Sequence, residues 1–250
     1  MKRLKKLECA LLLLICITIM LPLAATQHIG IAKANSPESF LLPDIKTDQP
    51  AIKNVDVLLD VGHGGIDGGT SFGDLLEKDI NLSIAKKTYD SLQKKGVIVL
   101  MNRMDDYALS GENLWLRSRS RHLKDLAQRS QLADEVKPKV MISLHVNSAR
   151  RSGKRGPLLL HQKNEQSLLL AKSLQNSLNM LYGTHEEPVY GKTYYLLKHT
   201  VVPAVIVEMG FITNAEDREM LTRPDSQQEI ADKIAEGIQV YIKKIHERPS

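Results

Sequence analysis

The stretch Leu58-Leu59-Asp60-Val61-Gly62-His63-Gly64-Gly65-Ile66-Asp67-Gly68-Gly69-Thr70 decides how the chain is read. Just before it, residues 55–59 are β-branched, leucine or acidic, and turn residues follow at once, which predicts a buried strand. Five glycines then fall within the eight positions 62–69. Glycine admits positive φ and close approach to the backbone, so this is a shaped loop at a strand end. His63 lies within it. In open α/β sheets ligands bind beyond the carboxyl ends of strands, where this histidine falls.

Downstream, Ile80, Ile84, Thr88 and Leu92 recur every fourth residue, with Leu82, Ala85 and Tyr89 beside them. That spacing predicts a helix over 79–95, stopped by Gly96, and then a strand over 97–101. Strand–helix–strand alternation implies a mainly parallel sheet. Residues 102–116 read as a long polar loop holding the single tryptophan, Trp115. A helix is expected at 117–134 with Leu123, Leu126, Ala127 and Leu132 inward, then strands at 140–146 and 156–161 and a helix at 165–181. Short strands are expected at 194–197 and 204–208. A last helix over 226–245 has Ser226 and Glu229 as a capping box and Ile230, Ile234, Ile238, Tyr241 and Ile245 as its buried face. The fold class expected is α/β, one domain with a central, mostly parallel, twisted sheet flanked by helices.

The chain has 250 residues, of which 42% are hydrophobic and 25% charged, enough for a sizeable core. Its first residues stand apart. Met1-Lys2-Arg3-Leu4-Lys5-Lys6 is basic, and residues 7–25 are apolar apart from Glu8, the pattern of a signal peptide or a retained signal anchor. Small-x-small sites near Ala25 and Ala34 leave cleavage open. Either way the functional part is expected outside the cytoplasm, with membrane contact only through this segment if it is retained. Cys9 and Cys16 both fall inside it, so disulfides and thiolate metal sites are excluded from the rest. Cys16 follows Ile15, too large for a lipoprotein cleavage site. The net charge of +5 owes +3 to residues 1–25, leaving +2. Arg117, Arg119, Arg121 and Lys124 form the one basic cluster of note and read as a solvated helix face, so no nucleic-acid partner is expected. The division is leader 1–34, Pro-bearing polar linker 35–51, and catalytic domain 52–250.

Four residues suited to chemistry stand at strand ends or just past the glycine loop: His63, Glu77, His145 and Glu208. Singly, His145 is explained as a satisfied core histidine and Glu77 as an acid favoured at a helix N-terminus. Glu208 is harder to explain so, because a carboxylate after Ala-Val-Ile-Val is costly to bury unless paired, metal-bound or protonated. Together the four suit a metal hydrolase, since a catalytic zinc takes three ligands from His and Asp/Glu and keeps a position for water. Such an ion acidifies water and polarises a carbonyl, and a nearby carboxylate of raised pKa shuttles the proton. Asn147 is placed to hydrogen-bond substrate or orient the site. Asp60 is either a hydrogen-bond partner for a ligand histidine or a plain loop carboxylate.

Four ordered segments carry a family resemblance: Asp60-Val61-Gly62-His63-Gly64-Gly65, Glu77-Lys78-Asp79-Ile80-Asn81-Leu82, Ile142-Ser143-Leu144-His145-Val146-Asn147, and Pro203-Ala204-Val205-Ile206-Val207-Glu208-Met209-Gly210-Phe211-Ile212-Thr213-Asn214. Across about 54–245 the chain resembles the zinc-dependent N-acetylmuramoyl-L-alanine amidases of the Amidase_3 type. The resemblance implies one zinc ion per domain, held by His63, Glu77 and His145, with Glu208 as the catalytic carboxylate. It implies hydrolysis of the amide between N-acetylmuramic acid and L-alanine in peptidoglycan, with an activator protein left open as a partner. Val61 stands where family members usually have Pro, and the loop 104–117 is short beside members with an autoinhibitory helix there, so that form of regulation is expected to be absent. One catalytic domain behind a signal sequence is most similar to the germination-specific spore-cortex branch, which prepares muramic-δ-lactam. The competing readings are a catalytically silent peptidoglycan-binding or scaffold protein, which all four residues argue against, and zinc hydrolysis of another bond.

Overall fold

A strand buried on both faces belongs in the interior of a sheet covered on both sides, and β1 (Val57–Val61) takes that place. The computed structural model describes residues 54–247, so the leader and linker readings, 1–34 and 35–51, lie outside the described residues. After β1 come a small hairpin, β2 (Ser71–Phe72) and β3 (Leu75–Leu76), then α1 (Glu77–Gln93), β4 (Val99–Met101), α2 (Arg121–Val136) and β5 (Val140–Asn147). The second half runs β6 (Leu158–His161), α3 (Glu165–Tyr182), β7 (Val189–Tyr190), α4 (Tyr195–His199), β8 (Ala204–Phe211), α5 (Ala215–Thr222) and α6 (Pro224–His246).

The main sheet has the order β4-β1-β5-β8-β6-β7, and every neighbouring pair is parallel except β6 with β8. The chain goes from β1 outward to β4, then returns to the other side of β1 for β5. The strand order therefore reverses between β1 and β5, and such a reversal opens a crevice at the strands' carboxyl ends. Val57, Leu59 and Val61 face one core layer with residues of α1, α3 and α6; Leu58, Met141, Leu160 and Ile206 face a smaller one with Ala133 of α2 and Leu196 and Leu197 of α4. Ile230, Ile234 and Ile238 of α6 are fully buried at four-residue spacing, and each such side chain stabilises the fold by about 1.5–3 kcal/mol. Among the described residues no helix is long and apolar enough to cross a membrane.

The fold class matches the expectation, and several local details differ. Residues 194–197 were expected as a strand, but Tyr195–His199 is a helical turn. A four-residue apolar run has no period to separate strand from helix, and here a helix lets Leu196 and Leu197 both reach the sheet. The expected capping box at Ser226 does not form, since Pro224 opens α6 after Arg223 and leaves Ser226 buried in the first turn. Helix α1 starts at Glu77, where its first N–H groups are taken by carbonyls of the glycine loop, Glu77 N to Thr70 O (3.0 Å) and Lys78 N to Gly68 O (3.2 Å). On α2, only Ala127 of the expected inward row is fully buried; Leu123, Leu126 and Leu132 are half-buried, while Asp125, Arg129, Ser130, Ala133 and Val136 face inward. A buried carboxylate on β1 explains the change, because it requires a cation from this helix. Of the expected basic cluster, Arg117 and Arg119 precede α2 rather than ride on it.

Candidate active site

The glycine loop is shaped to bring three side chains together. His63 itself adopts φ 62°, a conformation uncommon for a non-glycine residue. A Cβ on Gly62 would run into the His145 ring, and one on Gly69 (φ 68°) would lie 2.5 Å from Glu77 Oε2 and 2.7 Å from His63 Cδ2. Glycine at these two positions is the room into which His63, Glu77 and His145 converge. The loop carbonyls are fixed from behind by two buried arginines. Arg129 donates to Val61 O (2.7 Å) and His63 O (2.8 Å), and Arg103 to Val61 O (3.2 Å) and Gly62 O (3.0 Å). Lys78 adds a third tie, to Gly65 O at 2.7 Å.

Glu77 is the hub of the cluster. Its Oε1 lies 3.2 Å from His63 Nε2 and 2.9 Å from His145 Nδ1, and it accepts from Val146 N at 2.9 Å. Its Oε2 accepts from Thr70 N at 2.8 Å. Burial opposes the charge on Glu77, but both histidines more than offset it and hold the carboxyl well below the usual range. Burial also works against a charged His63, yet hydrogen bonds and charge from Glu77 and Asp67 raise it to about 9. One donor atom from each of His63, Glu77 and His145 lies within 4.8 Å of the others. Two imidazoles and a carboxylate so close are a donor set for a divalent metal.

Glu208 stands opposite. It is the register partner of His145 on the neighbouring strand, so a sheet spacing of about 4.8 Å separates their backbones. Burial raises Glu208 to about 7, with His145 lowering it and Glu77 raising it further. Its Oε2 is buried and has no hydrogen-bond partner among the described residues. A neutral-range carboxyl free of structural bonds is equipped to accept and return a proton.

Of the two supporting residues expected from sequence, Asp60 is not the partner of a site histidine. Asp60 makes no contact with a ligand histidine: it lies beneath the site, bonded to Arg129 Nη1 (2.7 Å), Asn102 and Ser143. Asp67 orients His63 instead, 2.9 Å from Nδ1. Asn147 uses Oδ1 to accept from Ser148 N at 2.8 Å. Sequence reading also missed Arg103 and Arg129. Asp125 and Arg129, four apart on one helix face, were the available signal for the second.

Residues 57–240 match the Amidase_3 family, N-acetylmuramoyl-L-alanine amidase. The chain belongs to this family. This amidase is 34% identical over 189 residues to the germination-specific N-acetylmuramoyl-L-alanine amidase of Bacillus subtilis (strain 168), covering 74% of this chain and 78% of that protein. The CwlD amidase of Clostridioides difficile, solved in complex with the GerS lipoprotein, superposes with a TM-score of 0.71 at 31% identity over 76% of this chain and 100% of that one. The catalytic domain of CwlV, an N-acetylmuramoyl-L-alanine amidase from Bacillus (Paenibacillus) polymyxa, gives a TM-score of 0.64 at 29% identity, covering 75% and 97%. The chain is therefore an amidase of the peptidoglycan-cleaving class.

Proposed function

We propose that this amidase depends on zinc, one ion per domain, held by His63, Glu77 and His145, and that Glu208 is its catalytic carboxylate. The observation that carries the reading is the pairing of a three-donor cluster with a buried, unpartnered carboxyl raised to about 7 on the adjacent strand. The borderline-soft imidazoles and the carboxylate fit zinc better than an all-oxygen cation. When bound, zinc supplies Lewis acidity toward the scissile carbonyl and toward water. The protein's residues do the rest. Asp67 fixes the His63 ring and the Thr70 N–H fixes Glu77. Glu208 takes a proton from the attacking water and returns one to the departing amine of L-alanine.

We place this activity outside the cytoplasm, behind the leader at 1–34 and the linker at 35–51, in wall or spore-cortex remodelling. Removing the stem peptide frees the lactyl carboxyl of muramic acid, the group that muramic-δ-lactam formation then consumes. Likeness to a germination-specific amidase and to CwlD supports the cortex role, and the lipoprotein bound to CwlD supports a partner protein for this chain. The test is mass spectrometry of muropeptides after incubating the purified protein with vegetative wall and with cortex, beside chelated and Glu208→Gln samples. Stem peptides beginning at L-alanine are expected from the zinc-loaded protein alone. Release that survives chelation overturns the metal assignment.

A further inference from the structure

Three segments leave the candidate site and meet at one side chain, Arg218 on α5. Phe72 lies just past Thr70, whose N–H holds Glu77, and the Arg218 guanidinium carbon sits 3.8 Å from the centre of the Phe72 ring. Ile212, on the exit from the strand bearing Glu208, accepts from Arg218 Nη1 at 2.9 Å, and Asn214 O accepts from the same nitrogen at 3.3 Å. Ile212 N in turn donates to the carbonyl of Asn147, just past His145, at 2.8 Å. The guanidinium is thus held where the continuations of the Glu77, His145 and Glu208 segments meet.

The charge is held but not neutralised. Arg218 is half-buried, its partners are two carbonyls and a ring, and among the described residues no carboxylate pairs with it. A guanidinium offers five N–H donors, and the carbonyls engage one nitrogen. Arg155 nearby is different, being committed to Glu216 at 3.1 Å and to Tyr182 O at 3.0 Å. The adjoining loop adds exposed Arg150, Arg151 and Lys154. Asn214 Nδ2 to Ser152 O (2.7 Å) and Ala149 N to Thr213 Oγ1 (3.1 Å) tether that loop beside Arg218. The rim beyond His145 and Glu208 is therefore cationic, and one of its members is oriented.

We propose that Arg218 is a substrate-binding residue that takes a carboxylate of the acidic stem peptide, on the residue following the L-alanine, with Arg150, Arg151 and Lys154 supplying the surrounding positive field. The inference rests on the amidase reading above and names how that substrate is recognised. A planar fork stacked on an aromatic ring suits a carboxylate bidentately, which a lysine cannot reproduce.

The test uses the full-length, zinc-loaded chain carrying Glu208→Gln, so that ligand is bound and not consumed. Calorimetric titration compares N-acetylmuramoyl-L-alanyl-γ-D-glutamyl-L-lysine with its isoglutaminyl counterpart, in which the one free carboxylate of the second residue is an amide. The free acid is expected to bind about tenfold more tightly, the scale of one charge-assisted hydrogen bond. Arg218→Gln should abolish that preference and Arg218→Lys restore part of it. Phe72→Leu, which removes the stack but not the charge, should keep most of it. Equal weakening of both ligands by Arg218→Gln would mean a purely structural role and overturn the proposal. So would equal affinity for the two, no binding of either, or a loss seen only on whole walls bearing anionic polymers. Cleavage of the same fragments by the unsubstituted protein is measured alongside. No cleavage refutes the amidase reading; cleavage without carboxylate preference refutes this inference alone.

Discussion

At the scale of single residues, the role proposed for Glu208 is set against stability. Its folded pKa, about 7, lies above the ordinary glutamate value of 4.5, so the native protein holds the proton more tightly than the unfolded chain does. The stabilising contribution is complete below about pH 4.5 and is lost as pH rises through about 7. Above that, the fold carries a buried, unpaired charge. Glu208→Gln removes the charge, and in the metal-free protein at pH 8 it is expected to raise the unfolding free energy by about 1–3 kcal/mol in urea titrations. The same variant should lose about 10²–10⁴-fold in kcat, the usual share of general acid–base catalysis. Asp67 acts through another residue. Asp67→Asn keeps the three proposed ligands but loosens the His63 ring, and competition with a chelator should show zinc affinity falling about 10–100-fold.

At the scale of elements, β1 and α2 are joined through charge as well as apolar packing. Burial disfavours ionised Asp60, but the Arg129 charge and the Ser143 hydroxyl hold its carboxyl below the usual range. Arg129→Met strands that carboxylate and should destabilise the domain by about 3–5 kcal/mol at pH 7. The deficit should shrink as pH falls, because without Arg129 burial leaves Asp60 taking up a proton more readily, and denaturant midpoints measured across pH will show it. Helix starts give a matched pair. Asn164 accepts from Ser167 N at 2.7 Å as the N-cap of α3, whereas Ser226 caps nothing. Asn164→Ala is expected to cost about 1 kcal/mol and Ser226→Ala less than about 0.5 by thermal unfolding. These elements mark where sequence reading stopped. The long strands and the isoleucine row of α6 were legible because their period or length is unmistakable. Arg129 was not, because its partner is a strand residue 69 positions away. The short Tyr195–His199 turn was misread for want of any period.

At the scale of the molecule, the candidate site sits on the sheet without holding it together. His63, Glu77 and His145 were readable as chemistry from their placement after apolar runs, but their mutual distances are properties of strand order that no local pattern encodes. Both core layers are complete without a metal, so chelation should abolish amidase activity while leaving the far-ultraviolet circular dichroism unchanged. The melting temperature should fall only by the linkage of binding to stability. The position of β8 has a consequence for when the protein becomes dangerous to a wall. Glu208 arrives on the last strand to be made, and that strand must enter between β5 and β6, both already synthesised. No shorter piece of the nascent chain can therefore assemble the acid opposite its histidine. Until β8 is made and paired, the chain holds its histidine with no acid opposite it, and the hydrolase arms itself only at the last step of closing the sheet.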